Sequence, residues 1–149
     1  IDALYPVGAV PKVVKVTPDN KYILVSNWCS YTVTVISVET QKTVKSIKIG
    51  RYPRGISVSS DSKYAYVAEM GGNRIHRINL EDFTVSYIPI GSNPRAISLS
   101  ADDTKLYATL NISGKVIAWD LQTNKAIKTV ATGKSARSLA ISSDGSWPW

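Results

Sequence analysis

The chain is 149 residues long, 44% hydrophobic and 19% charged, a core-forming composition and not that of a disordered tail. Its formal net charge is +7, and Cys29 and His76 are the sole cysteine and histidine. With no apolar run of about eighteen residues, the sequence excludes a transmembrane helix, an internal disulfide framework, a multi-cysteine zinc site and catalysis by paired histidines, and it shows no signal-peptide pattern.

In chain order, residues 1–7 read as the last strand of a preceding unit, with Ala3 to Val7 placed as Ile47-Lys48-Ile49 is placed before Gly50. Gly8 then opens a phrase that returns at Gly50, Gly91 and Gly133, at intervals of 42, 41 and 42 residues. Three positions on come Pro11, Pro53 and Pro94, with Ala136 in the last copy, each followed by a basic residue: Lys12, Arg54, Arg95 and Arg137. A fixed period of this size marks a repeat architecture.

Each copy continues with alternation of period two, as in Val14 and Val16, Ile56 and Val58, Ile97 and Leu99, Leu139 and Ile141. The intervening residues are often small (Gly55, Ser57, Ala96, Ser98), which suits the crowded inner strand of a radial sheet. A polar turn follows, containing Asp19, Asp61, Asp102 and Asp144. A second strand is predicted over Tyr22 to Val25, Tyr64 to Val67 and Leu106 to Ala108. A third spans Thr32 to Val38, Arg74 to Leu80 and Lys115 to Leu121. The fourth spans Thr43 to Ile49, Thr84 to Ile90 and Ala126 to Thr132.

Four short antiparallel strands every 42 residues or so define an all-β chain, a β-propeller with units at 8–49, 50–90 and 91–132 and the start of another at 133–149. In that last stretch Ser135 to Asp144 supplies a first strand and turn, and Ser146-Trp147-Pro148-Trp149 breaks the expected second strand. Pro89 falls in the fourth, outer strand, and Lys42, Lys45, Lys48, Lys125 and Lys128 in or beside it, where proline and lysine discourage edge pairing. Closed propellers typically hold four to eight blades, so the ring is incomplete. Either the chain is a piece of one of roughly 300 residues, the preferred reading, or a second copy completes the ring.

The phrases Gly50-Arg51-Tyr52-Pro53-Arg54-Gly55-Ile56-Ser57-Val58-Ser59, Tyr64-Ala65-Tyr66-Val67-Ala68 and Val33-Thr34-Val35-Ile36-Ser37-Val38 resemble YVTN-type β-propeller repeats. The resemblance covers almost the whole chain. It implies a prokaryotic, extracytoplasmic protein (periplasmic, surface or secreted), similar also to propellers of the lactonase and cytochrome d1 types.

In an antiparallel meander the start of the first strand, the turn between strands two and three, and the link between repeats share one end. Lys12, Arg54, Arg95 and Arg137 thus form a basic arc at a channel mouth, beside the turns bearing Asn27, Trp28, Asn73 and Asn111. Loops converging at such a mouth suit binding, and same-sign charges concentrate anions. The competing reading pairs those cations with backbone carbonyls or neighbouring acids. Trp28 either stacks on a ligand or covers the gap between blades. Cys29 reads as a bland buried or half-buried thiol, and His76 as structural. The repeating aspartates read as turn formers, too far apart for calcium, and Asn111-Ile112-Ser113 as a chance sequon.

The sequence therefore predicts a non-catalytic binding or scaffold module for a protein, glycan or anionic ligand, with no cofactor, metal or catalytic residue. Scattered lysines disfavour nucleic acid. The alternative is a lactonase-like enzyme completed by other blades, toward which Glu69, Asn73, Asn27 and Asn111 are the nearest candidate ligands.

Overall fold

Period-two alternation makes each repeat pair with itself, strand against the next strand, before anything else. The computed structural model describes residues 4–142 and contains twelve strands in three antiparallel sheets. The first sheet holds β1 (Pro11–Val16), β2 (Tyr22–Asn27), β3 (Thr32–Ser37) and β4 (Thr43–Lys48). The second holds β5 (Pro53–Val58), β6 (Tyr64–Glu69), β7 (Ile75–Asn79) and β8 (Val85–Ile88). The third holds β9 (Pro94–Leu99), β10 (Lys105–Leu110), β11 (Lys115–Asp120) and β12 (Lys125–Ala131). Strand order in each sheet is the chain order, a simple meander, and no helix forms among the described residues.

The sheets pack face to face as successive blades. Leu24, Val33, Val35, Ile47 and Ile49 of the first blade meet Ile56, Val67, Ile78 and Leu80 of the second. Tyr66, Ile75, Ile88 and Ile90 of the second meet Ile97, Leu99, Leu106, Ile117 and Trp119 of the third. Near the axis the inner strands approach closely: a Cβ on Gly55 would lie 2.6 Å from the Arg95 carbonyl oxygen, so only glycine fits. Ser26 Oγ donates to the Arg54 carbonyl (2.8 Å) and Leu99 N to Ser57 Oγ (3.2 Å), tying each blade to its neighbour.

The turn aspartates behave as the residue type dictates. Asp19, Asp61 and Asp102 each accept from the hydroxyl two residues before (Thr17, Ser59, Ser100) and from the amide two residues after. The next residue, Asn20, Ser62 or Asp103, is left-handed in each case, with φ of 58°, 59° and 56°.

Several expectations need correction. The second strands extend to Asn27, Glu69 and Leu110, because the ladder to the third strand continues to the turn. Pro89, expected within the fourth strand, lies just beyond β8, which ends at Ile88. Residues 4–7 form no strand, and neither do residues 135–142, although both were expected to. An inner strand here pairs only with the second strand of its own blade, and the described residues of the fourth copy contain none. Asp144 and the Trp147 tail lie outside the described residues. The inner strand β1 is not crowded either: Val14 is 59% exposed, where its counterpart Ile56 is 2% exposed, because no described blade packs on that face.

Candidate functional site

Backbone bonds fix which loops share an end. Trp28 N donates to the Val10 carbonyl, Met70 N to Tyr52 and Asn111 N to Asn93, so each turn between strands two and three lies against the loop that enters its own blade. In every copy the residue before Pro11, Pro53, Pro94 or Ala136 is left-handed: Val10, Tyr52, Asn93 and Ser135, with φ between 56° and 65°. That turn delivers the following basic residue to the axis end of the inner strand.

The same turns also reach the next blade. The Trp28 ring stacks on Tyr52 with centroids 4.8 Å apart and planes at 22°. Asn93 Nδ2 donates to the Met70 carbonyl (2.9 Å), and Asn111 Nδ2 to the Ala136 carbonyl (2.9 Å). Counted from the repeat glycine, Trp28, Met70 and Asn111 are therefore equivalent, each closing a seam between blades. Asn111 is thus the counterpart of Trp28 and not of Asn27.

Lys12 Nζ lies 5.8 Å and the Arg54 guanidinium 5.5 Å from the Trp28 ring centroid. Each such contact is worth about 0.5–1 kcal/mol at an exposed site and restrains a long side chain. Burial, then the charges of Arg54 and Arg137, hold the Arg95 guanidinium below its ordinary pKa. Arg54, Arg95 and Arg137 of successive repeats thus stand close enough for the outer two to act on the middle one. Among the described residues none of the four has a carboxylate within ion-pair distance, and none of their side chains donates a hydrogen bond to a backbone carbonyl.

The remaining residues divide. Asn73 is exposed on the mouth, and Asn111 is half-buried in its seam. Asn27 does not reach the mouth surface: it is fully buried, and its Nδ2 donates to Thr32 Oγ1 (3.1 Å) and Thr34 Oγ1 (2.9 Å). The space that a side chain at Gly8 would need is filled by Asn27 itself. Cys29 is exposed, against the buried or half-buried thiol expected, because it sits at the turn's tip, bonded through its amide to the Ala9 carbonyl.

One pair escapes a reading of single motifs. Glu69 occupies the position of Asn27, and its Oε2 lies 2.9 Å from His76 Nε2, while Arg51 N donates to Oε1 and Arg74 Nε stands 3.6 Å from Oε2. His76 stands where Thr34 and Ile117 stand in the other blades. The same two stations therefore carry amide and hydroxyl, carboxylate and imidazole, or Leu110 and Ile117. Counting both residues from their repeat glycine would have exposed the pairing. Among the described residues no three His, Cys, Asp or Glu side chains converge as metal ligands.

The chain is 29% identical to Antigen Lp49 of Leptospira interrogans serogroup Icterohaemorrhagiae serovar copenhageni, over 94% of this chain and 32% of the antigen's length. Its fold superposes on the Kuenenia stuttgartiensis hydrazine synthase with a TM-score of 0.85, at 20% identity, over 95% of this chain and 42% of that one. It superposes on U3-55K with a TM-score of 0.79, at 16% identity, over 89% and 42%. These two likenesses speak for the fold alone, and the chain spans less than half the length of each of these three proteins. A family model for the YNCE-like beta-propeller matches residues 7–144, and the chain belongs to that family.

Proposed function

We propose that the protein is a non-catalytic binding module whose basic mouth engages an anionic ligand, a glycan or an acidic protein loop. The observation that carries this reading is the arc of Lys12, Arg54, Arg95 and Arg137, which has no carboxylate within ion-pair distance among the described residues, with two of the four restrained on Trp28. Arginine forks match carboxylates bidentately, and a partly buried guanidinium between two others is relieved by an arriving anion. Asn73, Asn111 and the rim of Trp28 would add contacts beside the arc. The ring is closed by further blades from the rest of a longer chain, a reading supported by the fraction of each relative that this chain spans. An extracytoplasmic setting is supported by the likeness to the Leptospira protein, which is an antigen.

The test is titration with citrate and with poly-glutamate, comparing wild type, Arg54→Ala and Arg95→Ala. Each substitution is expected to weaken binding about tenfold, and binding should weaken with added salt. Unchanged affinity in both variants would remove the mouth from consideration.

A further inference from the structure

At the end opposite the mouth, the second blade breaks the repeat in a way the basic arc does not explain. Val35, Arg77 and Ala118 occupy equivalent stations in β3, β7 and β11. Val35 and Ala118 are buried, at 0% and 6% exposure. Arg77 sets a charged side chain into the same layer, its guanidinium 3.7 Å from the Tyr64 ring centroid. Its Nε is buried without a hydrogen-bond partner, and no carboxylate among the described residues stands within ion-pair distance. An unsatisfied buried donor costs free energy that an aliphatic side chain at this station would avoid. Departures of this kind from a repeat's own rules concentrate at functional sites.

Two clefts meet at this arginine, of about 350 Å³ and about 200 Å³, and share Tyr64 and Arg77 as lining. The larger is otherwise lined by Asn79, Thr84, Val85 and Ser86; the smaller runs between the second and third blades past Asp61, Tyr66, Asp103 and Leu121. Asp61 is bonded within its own turn. Asp103 Oδ2 accepts from Ser60 N and Oγ, whereas its Oδ1 accepts no bond among the described residues. The lining thus offers one guanidinium, two carboxylates and aromatic walls. Two carboxylates repel a multiply charged anion, so one carboxylate facing Arg77, with a hydroxyl or ammonium donor facing Asp103, balances the site.

The geometry points to this double cleft as a binding site for a small hydroxy- or amino-carboxylate, separate from the mouth. Calorimetry of the full chain with L-serine, L-lactate and inorganic phosphate tests it. Saturable binding of serine or lactate is expected, with phosphate weaker than either. Arg77→Val installs the residue that the first blade carries at this station, so it should fold with an unchanged or higher Tm. It should also bind at least about tenfold more weakly, the worth of a charge-assisted hydrogen bond. Arg95→Ala, which alters only the mouth, should leave this binding intact. Absence of saturable binding by either acid, retention of it in Arg77→Val, or tighter binding of phosphate would each overturn the assignment.

Discussion

Asp102 shows how much of this fold is held by single side chains in tight turns. Bonds from Ser100 Oγ and from the Thr104 amide and hydroxyl lower its pKa from the 3.8 of an ordinary aspartate to about 2. Asp19 and Asp61 are shifted in the same direction, chiefly by the Thr17 hydroxyl and by the Lys63 amide respectively. A carboxyl whose pKa is lower folded than unfolded favours the folded state fully above about pH 4 and loses that contribution as pH falls toward 2. The urea midpoint should therefore fall between pH 4 and pH 2. Asp102→Ala should be less stable than wild type at pH 7, with the difference shrinking toward pH 2; a constant difference would show that the turn does not depend on the ionised carboxylate. Residue type alone disclosed this role, because aspartate followed by a left-handed residue is local chemistry. It did not disclose that Cys29 is exposed or that Asn27 is buried, since both depend on which way a turn tip faces within the blade.

Within single blades, the contrast among the three second-to-third strand pairs is the most testable feature. Asn27 with Thr34, Glu69 with His76 and Leu110 with Ile117 solve one packing problem in three chemistries. Glu69→Leu alone would leave His76 and the Arg51 amide without their acceptor, at a cost of about 1–3 kcal/mol. Adding His76→Ile recreates the third blade's pair and should recover part of that loss. A double-mutant cycle monitored by urea denaturation should give a coupling of about 1 kcal/mol, and additivity of the two changes would deny the pair a joint role. The existence and order of these strands were legible because the period is fixed and the alternation is strict. The pairing is legible only when the three copies are set in register from their repeat glycines, because the partners lie seven residues apart on adjoining strands and differ in every copy. Arg77 was hidden for the same reason: it looks like an ordinary polar residue until Val35 and Ala118 are set beside it.

Across the molecule, neighbouring blades are coupled most tightly at the axis. Gly55→Ala places a methyl against the backbone of Arg95 and Ile97, which cannot yield as a side chain can. A loss of about 1–3 kcal/mol is expected by analogy with overpacked cores, read as a lower urea midpoint with loss of cooperativity between the second and third blades. A Tm equal to wild type would show that the inner strands can separate without cost. The seams described above have a consequence for how such a chain avoids error. Repeats with nearly identical backbones are prone to dock on the wrong neighbour while folding. Here one seam is closed by an indole against a phenol ring, while the next two use amide–carbonyl bonds whose donors lie on opposite sides of the seam. A blade that docks out of turn therefore forfeits its closing contact, and the order of the repeats is written into chemistry that only the correct neighbour can complete.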